Sequence, residues 1–371
     1  MEIALNSLLN CEAPRNKSGS MRNTVVSITG SDFLIDGQLT YEGHVHNGLR
    51  VEGLLFNSRM VQAIFDDLNP KTRRLWDYPD GPWDPERNSQ EFVAAMPEWR
   101  THGLLGFTIN LQGGSPYGYS EGKPQPWINS AFDEVGDLRA DYMSRLGRIL
   151  DKADELGMVP ILGLFYYGQD RNLVDESAVL RACDNITEWI ISQHYTNVLV
   201  EINNQADIAD LGVQQHYSHD VLLPARVHEL IRRVQQRSDG RVGNSVGHFL
   251  VGTSFWALPS DSVMGVSDFI LLHGNNFEEP DEIRRLVDRC RMSLAYLGQP
   301  IVFNEDDHTN FDATDNHLLA AISKHASWGF FDYRRKGEDF GAGYQSMPTT
   351  WGIDTERKRA FFESILQISG S

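Results

Sequence analysis

Polar or aromatic side chains follow eight short apolar runs in this sequence, and Lys is rare at these positions. Neutral amides supply the donors and acceptors that hydroxyl groups need, and an aromatic ring can stack on the apolar face of a sugar. The combination therefore indicates a carbohydrate site. The residues concerned are Asn57, Ser58, Arg59, Asn110, Gln112, Tyr166, Tyr167, Asn204, Gln205, Trp256, His273, Asn304, Glu305 and Arg334.

The apolar runs alternate with longer amphipathic segments. The runs cover residues 49–56, 104–111, 158–167, 197–204, 248–255, 268–273, 300–305 and 328–333. Helices are predicted at 88–101, 139–156, 176–193, 225–237, 281–293, 314–326 and 355–367. Eight buried strands alternating with helices predict an α/β fold, a (β/α)8 TIM barrel, in which the carboxyl ends of the strands carry the active site. An open doubly wound sheet is the weaker alternative, because no glycine-rich dinucleotide loop follows the first strand.

Local signals refine this organisation. Residues 25–40 alternate apolar and polar side chains around Asp36-Gly37, which predicts an N-terminal β-hairpin that covers one end of the barrel. Asn88 with Glu91 three residues later predicts a capping box, and Gly157 predicts a helix end. We expect an N-terminal arm at residues 1–22 and a single (β/α)8 domain at residues 23–371.

Composition excludes several classes of partner. The chain of 371 residues has 33 Lys and Arg against 51 Asp and Glu, a net charge of −18, and it is 41% hydrophobic. A chain this long can bury a full core without disulfides or metals. The acidic balance argues against a nucleic acid or an anionic membrane as partner, because phosphate groups would be repelled. It fits a neutral or cationic small molecule.

Cysteine usage and the N-terminus bear on the compartment. Cys11, Cys183 and Cys290 are isolated and odd in number, which excludes a zinc ribbon or a redox dithiol and suits a reducing compartment. Glu2 stands where a signal peptide would be positive, and no apolar run approaches the roughly 18 residues of a membrane span. We therefore expect a cytoplasmic protein. The sequence carries no signal for an oligomeric state.

Two of the strand ends together resemble those of clan A glycoside hydrolases, which are retaining (β/α)8 enzymes that include many cellulases. The run PIVFNE ends in Glu305 and resembles the nucleophile strand of that clan. The run NVLVEINNQ precedes it by 100 residues and resembles the strand that ends in Asn-Glu, with Asn204 at the Asn position and Gln205 at the Glu position. The resemblance implies a glycoside hydrolase that cleaves β-glycosidic bonds by double displacement, with no metal or organic cofactor.

The resemblance also implies roles for individual residues. Glu305 would attack the sugar, Asn204 would hydrogen-bond the 2-hydroxyl, and His273 would lie beside the nucleophile. Retaining enzymes hold a second carboxyl about 5–5.5 Å from the first, as an acid that later becomes a base. Gln205 cannot fill that role, because an amide has no titratable proton near neutral pH.

Three explanations for Gln205 remain open. It is an introduced Glu→Gln substitution that stops turnover, or it marks a catalytically silent glycan-binding protein, or another group supplies the proton. Glu201 lies four residues earlier on the strand, roughly 13 Å deeper at about 3.3 Å per residue, which is too far to share the site. Asp207 in the following loop is the nearer alternative.

The remaining residues are predicted from their positions at strand ends. Arg59 would orient the nucleophile and keep its pKa low through charge pairing. Substrate contacts are expected from Asn110, Gln112, Tyr166, Tyr167, Trp256 and Arg334. Candidates for sugar stacking, against the commoner fate of packing in the core, are Trp76, Trp83, Trp127, Trp256, Trp328 and Trp351.

A metal-dependent amidohydrolase is the third interpretation. His44 and His46 form an H-x-H pair, and His273 and Asp332 stand at later strand ends. However, the pair precedes the 49–56 run instead of ending it, which would place it at the wrong end of a barrel. No metal site is therefore predicted.

Overall fold

The computed structural model describes residues 22–118, 125–208 and 216–370; residues 1–21 of the predicted arm, Cys11 among them, lie outside these ranges. The described chain begins with small antiparallel strands, β1 Val26–Thr29, β2 Asp32–Ile35, β3 Gln38–Leu39, β4 Val45–His46 and β5 Leu49–Arg50. Asp36 and Gly37 join β2 to β3 with φ of 54° and 79°, the backbone that a two-residue hairpin turn requires. The predicted hairpin is confirmed.

A ring of parallel strands follows. Its members are β6 Asn57–Arg59, β7 Gly106–Asn110, β8 Val159–Phe165, β9 Leu199–Asn203, β10 Leu250–Gly252, β11 Ser254–Phe255, β12 Ile270–His273, β13 Ile301–Glu305 and β14 Gly329–Phe330. The fifth position of the ring is divided, since β10 pairs with β9 and β11 pairs with β12. β14 pairs with β6, and parallel bridges such as Asp306–Phe330 join it to the β13 side, which closes the barrel.

Helices cover the outside of the ring. They are α1 Pro85–Thr101, α2 Ala140–Leu156, α3 Glu176–Ser192, α4 Val227–Ser238, α5 Asp261–Met264, α6 Pro280–Met292, α7 His317–Ser323 and α8 Glu356–Ser369. The single-turn α5 was not predicted, because one turn is too short to show helical periodicity. Across the described parts of the chain, no helix combines the length and the apolar character that crossing a membrane requires.

Two predicted details are wrong. Asp84 caps α1 by accepting from Glu86 N and Arg87 N, whereas Asn88 lies one turn inside the helix and donates to the carbonyl of Gln62. The first barrel strand is Asn57–Arg59 rather than residues 49–56. Most of that run is buried connecting chain, so its apolar character reflects burial and not strand pairing.

The barrel interior changes from apolar to polar along the strands. At the hairpin end, an apolar layer packs against the hairpin; it contains Val26, Phe33, Leu55, Leu199, Leu250, Leu271 and Val302. Two residues further along their strands stand polar side chains, which with those of β7 form a polar layer of Asn57, Thr108, Asn110, Glu201 and Asn304. Gly163 and Gly329 leave room for it, because a Cβ there would come within 2.3 Å of Asn110 Oδ1 and 2.2 Å of Asn57 Oδ1.

Candidate active site

Glu305 ends β13 at the polar end of the barrel and is 1% exposed. A register shift between Leu272 and His273 brings His273 opposite it. The carboxylate contacts three side chains from two other strand ends. Arg59 Nε lies 2.7 Å from Oε2, Asn275 Nδ2 donates to Oε1 at 2.9 Å, and His273 Nδ1 lies 3.5 Å from Oε2.

Burial dominates the electrostatics of this carboxyl. It raises the pKa of Glu305 to about 7, although the Arg59 charge and the Asn275 hydrogen bond act in the opposite direction. Burial, together with the nearby Arg59 charge, lowers the pKa of His273 well below its usual value. The imidazole is therefore neutral at neutral pH, and Arg59 is the cation in contact with Glu305.

Arg59 joins two strand ends that are far apart in sequence. Its Nη2 donates to Asn204 Oδ1 at 2.6 Å while its Nε meets Glu305. The structure thus brings Asn204 and Glu305 onto one guanidinium group. Tyr217 further holds this turn by donating from its hydroxyl to the Asn204 carbonyl.

Gln205 follows Asn204 directly and is 2% exposed. Its φ of 50° lies in the left-handed region, which a residue with a side chain adopts at some cost. Hydrogen bonds to Ser254 hold the turn, because Gln205 N donates to Ser254 Oγ and Ala206 N donates to Ser254 O, both at 2.9 Å. The hydrogen bonds to Ser254 therefore fix the backbone of the turn that contains Gln205, directly after β9.

Asp207, the alternative proton donor, has a structural task. Its two carboxylate oxygens accept from the backbone N–H groups of Trp256 and Ala257, at 3.0 and 2.9 Å. Asp207 thereby fixes the loop after β11. Trp256 is half-buried on this loop, whereas Trp76, Trp83, Trp127, Trp328 and Trp351 are buried. Among the six tryptophans considered for stacking, Trp256 is the one that is not fully buried.

The other predicted contacts divide between the barrel interior and its loops. Asn110 lies against Gly163 in the polar layer, and neither atom of its amide has a protein hydrogen-bond partner among the described residues. Gln112 joins loops instead, since Nε2 donates to Ser130 Oγ at 3.2 Å and Oε1 accepts from Tyr166 N at 3.3 Å.

Tyr166 and Tyr167 are buried after β8, with ring centroids 4.2 Å apart and a hydrogen bond of 2.8 Å between their hydroxyls. Arg334 braces the loop after β14 by donating to the carbonyls of Met347 and Pro348. These residues shape the loops around the carboxyl ends of the strands.

Asn275 and Asp306 are two residues that sequence reasoning missed. Asn275 follows His273 by two positions in a loop. The loop has no repeating sequence pattern, so nothing in the sequence predicted that Asn275 contacts Glu305. Asp306 follows Glu305 directly in a run of acidic residues, which usually lies in solvent, so its burial had no signal in the sequence. It is buried and accepts from His308 Nδ1 and His317 Nδ1, at 2.7 and 2.8 Å.

Asp306 also accepts from Trp328 Nε1 at 2.9 Å and from His308 N at 3.1 Å. Four donors occupy the lone-pair directions of one carboxylate. The rings of His308 and His317 stack with centroids 3.8 Å apart, and the ligand atoms of the two histidines and Asp306 lie within 4.8 Å of one another. In this structure the hydrogen bonds of Asp306 fix the chain directly after Glu305.

The residues of the amidohydrolase interpretation lie apart. His46 is in the small β4 strand of the N-terminal segment, and His44 lies next to Gly370 at the end of α8. His273 contacts Glu305, while Asp332 Oδ1 accepts from Arg357 Nε at 2.8 Å.

Solved structures of several glycoside hydrolases have a similar fold. An endo-1,4-beta-mannanase from Rhizomucor miehei superposes with a TM-score of 0.53 at 9% identity, over 93% of this chain and 99% of the other. A beta-mannanase from the blue mussel Mytilus edulis gives 0.52 at 12% identity, over 94% and 97%. A broad-specificity endoglucanase of glycoside hydrolase family 5 from a Clostridium species gives 0.51 at 12% identity, over 85% and 97%.

These similarities confirm the (β/α)8 fold and, at the level of the fold, the resemblance to clan A barrels. No protein-family model and no curated protein sequence matches the chain.

Proposed function

We propose that this protein is a retaining glycoside hydrolase that acts on β-glycosidic bonds of a carbohydrate, with Glu305 as nucleophile and position 205 in the place of the acid/base. The observation that supports it best is the contact of one guanidinium, Arg59, with both Glu305 and Asn204. This contact ties the two strand ends that resemble the clan A motif into a single site.

In the first step a Glu305 oxygen attacks the anomeric carbon, and the bond to the leaving oxygen breaks with its electron pair. The attack requires the ionised carboxylate. Arg59 stabilises this form and, together with Asn275, orients it, while neutral His273 adds no competing charge. Asn204 is placed to donate from its Nδ2, which has no protein partner among the described residues, to the sugar 2-hydroxyl.

Gln205 determines which substrates can react. An amide cannot protonate a departing alkoxide, so the first step proceeds only when the leaving group is stable as an anion. The second step lacks a base to deprotonate water, so the glycosyl-enzyme accumulates. Where Gln205 replaces a native glutamate, the Gln205→Glu protein is the full enzyme.

The test compares this chain with its Gln205→Glu variant on aryl and alkyl β-glycosides of graded leaving-group acidity, across glucosides, mannosides, xylosides and galactosides. We expect kcat/KM of this chain to fall steeply as the leaving group becomes less acidic. Gln205→Glu should raise kcat/KM for the least acidic leaving groups by about 100-fold or more.

A 2-fluoro-glycoside should label Glu305 in both proteins, and Glu305→Gln, which keeps the shape of the side chain, is the matched control. Absence of label on Glu305 in the Gln205→Glu protein would contradict the proposal.

A catalytically silent glycan-binding protein is the second candidate. Gln205 itself favours it, because the amide can bind a hydroxyl but cannot catalyse proton transfer. It predicts that Gln205→Glu restores no hydrolysis while sugar binding, measured by calorimetry, persists in both proteins.

A further inference from the structure

Asp306 stands directly behind the nucleophile and contacts more than its own loop. It follows Glu305 in the chain and is 0% exposed. Its backbone belongs to the barrel, because it forms a parallel bridge with Phe330, and Phe331 N donates to its carbonyl at 2.9 Å. The side chain of Asp306 is therefore anchored at its base between β13 and β14.

Four donors hold the carboxylate of Asp306 at its other end. The Nδ1 and the backbone N–H of His308 donate to Oδ1, at 2.7 and 3.1 Å. His317 Nδ1 and Trp328 Nε1 donate to Oδ2, at 2.8 and 2.9 Å. These donors come from the loop after β13, from the start of α7 and from the residue before β14. A carboxylate whose lone-pair directions are all occupied has little freedom to rotate.

Gly274 lies against this fixed carboxylate. A Cβ on Gly274 would come within 2.2 Å of Asp306 Oδ2 and 2.7 Å of its Cγ, so even an alanine would clash. Gly274 N also donates to the carbonyl of Glu305 at 2.7 Å. Gly274 is therefore held by the backbone of one residue and by the side chain of the next.

Gly274 connects the two side chains at the end of β12 that contact the nucleophile. His273 Nδ1 lies 3.5 Å from Glu305 Oε2, and Asn275 Nδ2 donates to Oε1 at 2.9 Å. Because these residues flank Gly274, a displacement of the glycine moves both of them relative to the carboxylate of Glu305. The side chain of Asp306 therefore limits where both groups can stand.

We propose that Asp306 is a positioning residue, whose fixed carboxylate keeps the chain at Gly274 in place beside Glu305. Through this contact it sets where His273 and Asn275 stand around the nucleophile. The consequence for catalysis rests on the proposed function, because a displaced Asn275 leaves the attacking carboxylate less well oriented. The structural linkage itself does not depend on that function.

The test reads the side-chain amide of Asn275 by NMR in the full chain labelled with 15N-asparagine, with its signal identified through Asn275→Ala. Gly274→Ala should shift this signal and speed its exchange with solvent by about 10-fold or more, because the added methyl group is forced against Asp306 and the hydrogen bond to a buried carboxylate is lost. Gly243→Ala is the matched control, since a Cβ at this exposed position meets nothing within 4 Å.

Asp306→Asn is the second variant. It keeps the shape of the side chain but replaces one accepting oxygen with a donor, so two of the four donors lose their acceptor. The Asn275 signal should change in the same direction as in Gly274→Ala, and by less. Asp154→Asn is the control, because it alters another buried carboxylate, which accepts from Thr24 N at 2.9 Å beside the start of the hairpin.

An unchanged Asn275 signal in the folded Gly274→Ala protein overturns the proposal. A change in the Asp154→Asn control as large as that in Asp306→Asn also overturns it, because the signal would then report a general loss of stability.

If neither variant at the site folds, the parent chain decides. Nδ1 of His308 and Nδ1 of His317 must each carry a hydrogen in order to donate to Asp306, and 15N-histidine spectra report this directly. A ring whose Nδ1 carries no hydrogen overturns the proposal.

Catalysis supplies a second readout. With an aryl glycoside that has a strongly acidic leaving group, Gly274→Ala should lower the rate of the first step by about 10- to 100-fold. KM should change much less, because the orientation of Glu305 is altered and not the binding of the sugar. Failure of the proposed function is separately visible, as the expected change of the Asn275 signal in a protein that turns over no glycoside.

Discussion

The two ends of the barrel interior are built on opposite principles. At the hairpin end, Phe33 and Val26 close the barrel over apolar side chains such as Leu199 and Val302. At the other end, the polar layer leaves several buried atoms without a protein partner among the described residues, including Asn57 Oδ1, Thr108 Oγ1, Asn304 Oδ1 and both polar atoms of the Asn110 amide.

The difference shows that one part of the barrel stabilises the fold while another part keeps buried polar groups without partners. Apolar burial contributes about 25 cal/mol per Å², whereas each unpaired buried polar group opposes folding by about 1–3 kcal/mol. The hairpin end therefore stabilises the barrel, and the opposite end retains unused hydrogen-bonding capacity. Three substitutions test this contrast.

The largest effect is expected at the apolar end. Phe33→Ala should lower the free energy of unfolding by about 3–5 kcal/mol, because a fully buried ring leaves a cavity in the closed end. Denaturant unfolding measures it. Val45→Ala, which changes an exposed apolar side chain in the same N-terminal segment, should stay within about 0.5 kcal/mol. Equal effects of the two substitutions would show that the hairpin does not seal the barrel.

The next effect is expected at Glu305 and depends on pH. Its pKa of about 7 in the folded chain exceeds the usual value of 4.5, so the folded state binds more protons and stability falls as pH rises between these values. Glu305→Gln removes the titrating carboxyl and with it this loss of stability. The change that the substitution makes in the free energy of unfolding should therefore be more favourable at pH 8 than at pH 4.5, by up to about 3 kcal/mol. Thermal unfolding at both pH values measures it.

Glu363→Gln, which makes the same substitution at an exposed position of α8, is the comparison for Glu305→Gln. If the stability of Glu305→Gln and that of the parent chain change with pH in the same way, the raised pKa of Glu305 is contradicted.

The smallest effect sharpens the contrast within the polar end. Thr108→Val should raise the free energy of unfolding by about 1 kcal/mol, because it removes a buried hydroxyl that has no protein partner among the described residues. Thr253→Val should instead lower it, by about 1–2 kcal/mol, since Thr253 Oγ1 donates to Asn203 O at 2.9 Å. A Thr108→Val loss as large as that of Thr253→Val would mean that another partner, such as an ordered water, holds the Thr108 hydroxyl.

The sequence predicted the parts of this molecule that depend on local pattern. The order of strands and helices, the Asp36-Gly37 turn and the strand-end positions of Asn204 and Glu305 follow from periodicity and turn chemistry. The first strand was misplaced, because residues 51–56 are apolar for burial in connecting chain, which periodicity alone cannot distinguish from a strand.

Contacts between elements that are distant in the sequence could not be predicted from it. Asn275 reaches Glu305 from a loop, and Asp306 collects His308, His317 and Trp328 from three parts of the chain. The contact of Arg59 with both Glu305 and Asn204 depends on how the strands close into a ring, which spacing along the sequence does not show.

The left-handed backbone at Gln205 has a consequence for protein engineering. Since Ser254 and its neighbours impose this conformation, an exchange between the amide and the acid alters the reactivity of the side chain without asking the main chain to move. A glycine would relieve the torsional strain but forfeit the functional group. The same turn can therefore carry either side chain, and a single substitution exchanges a neutral amide for a titratable acid at one fixed position.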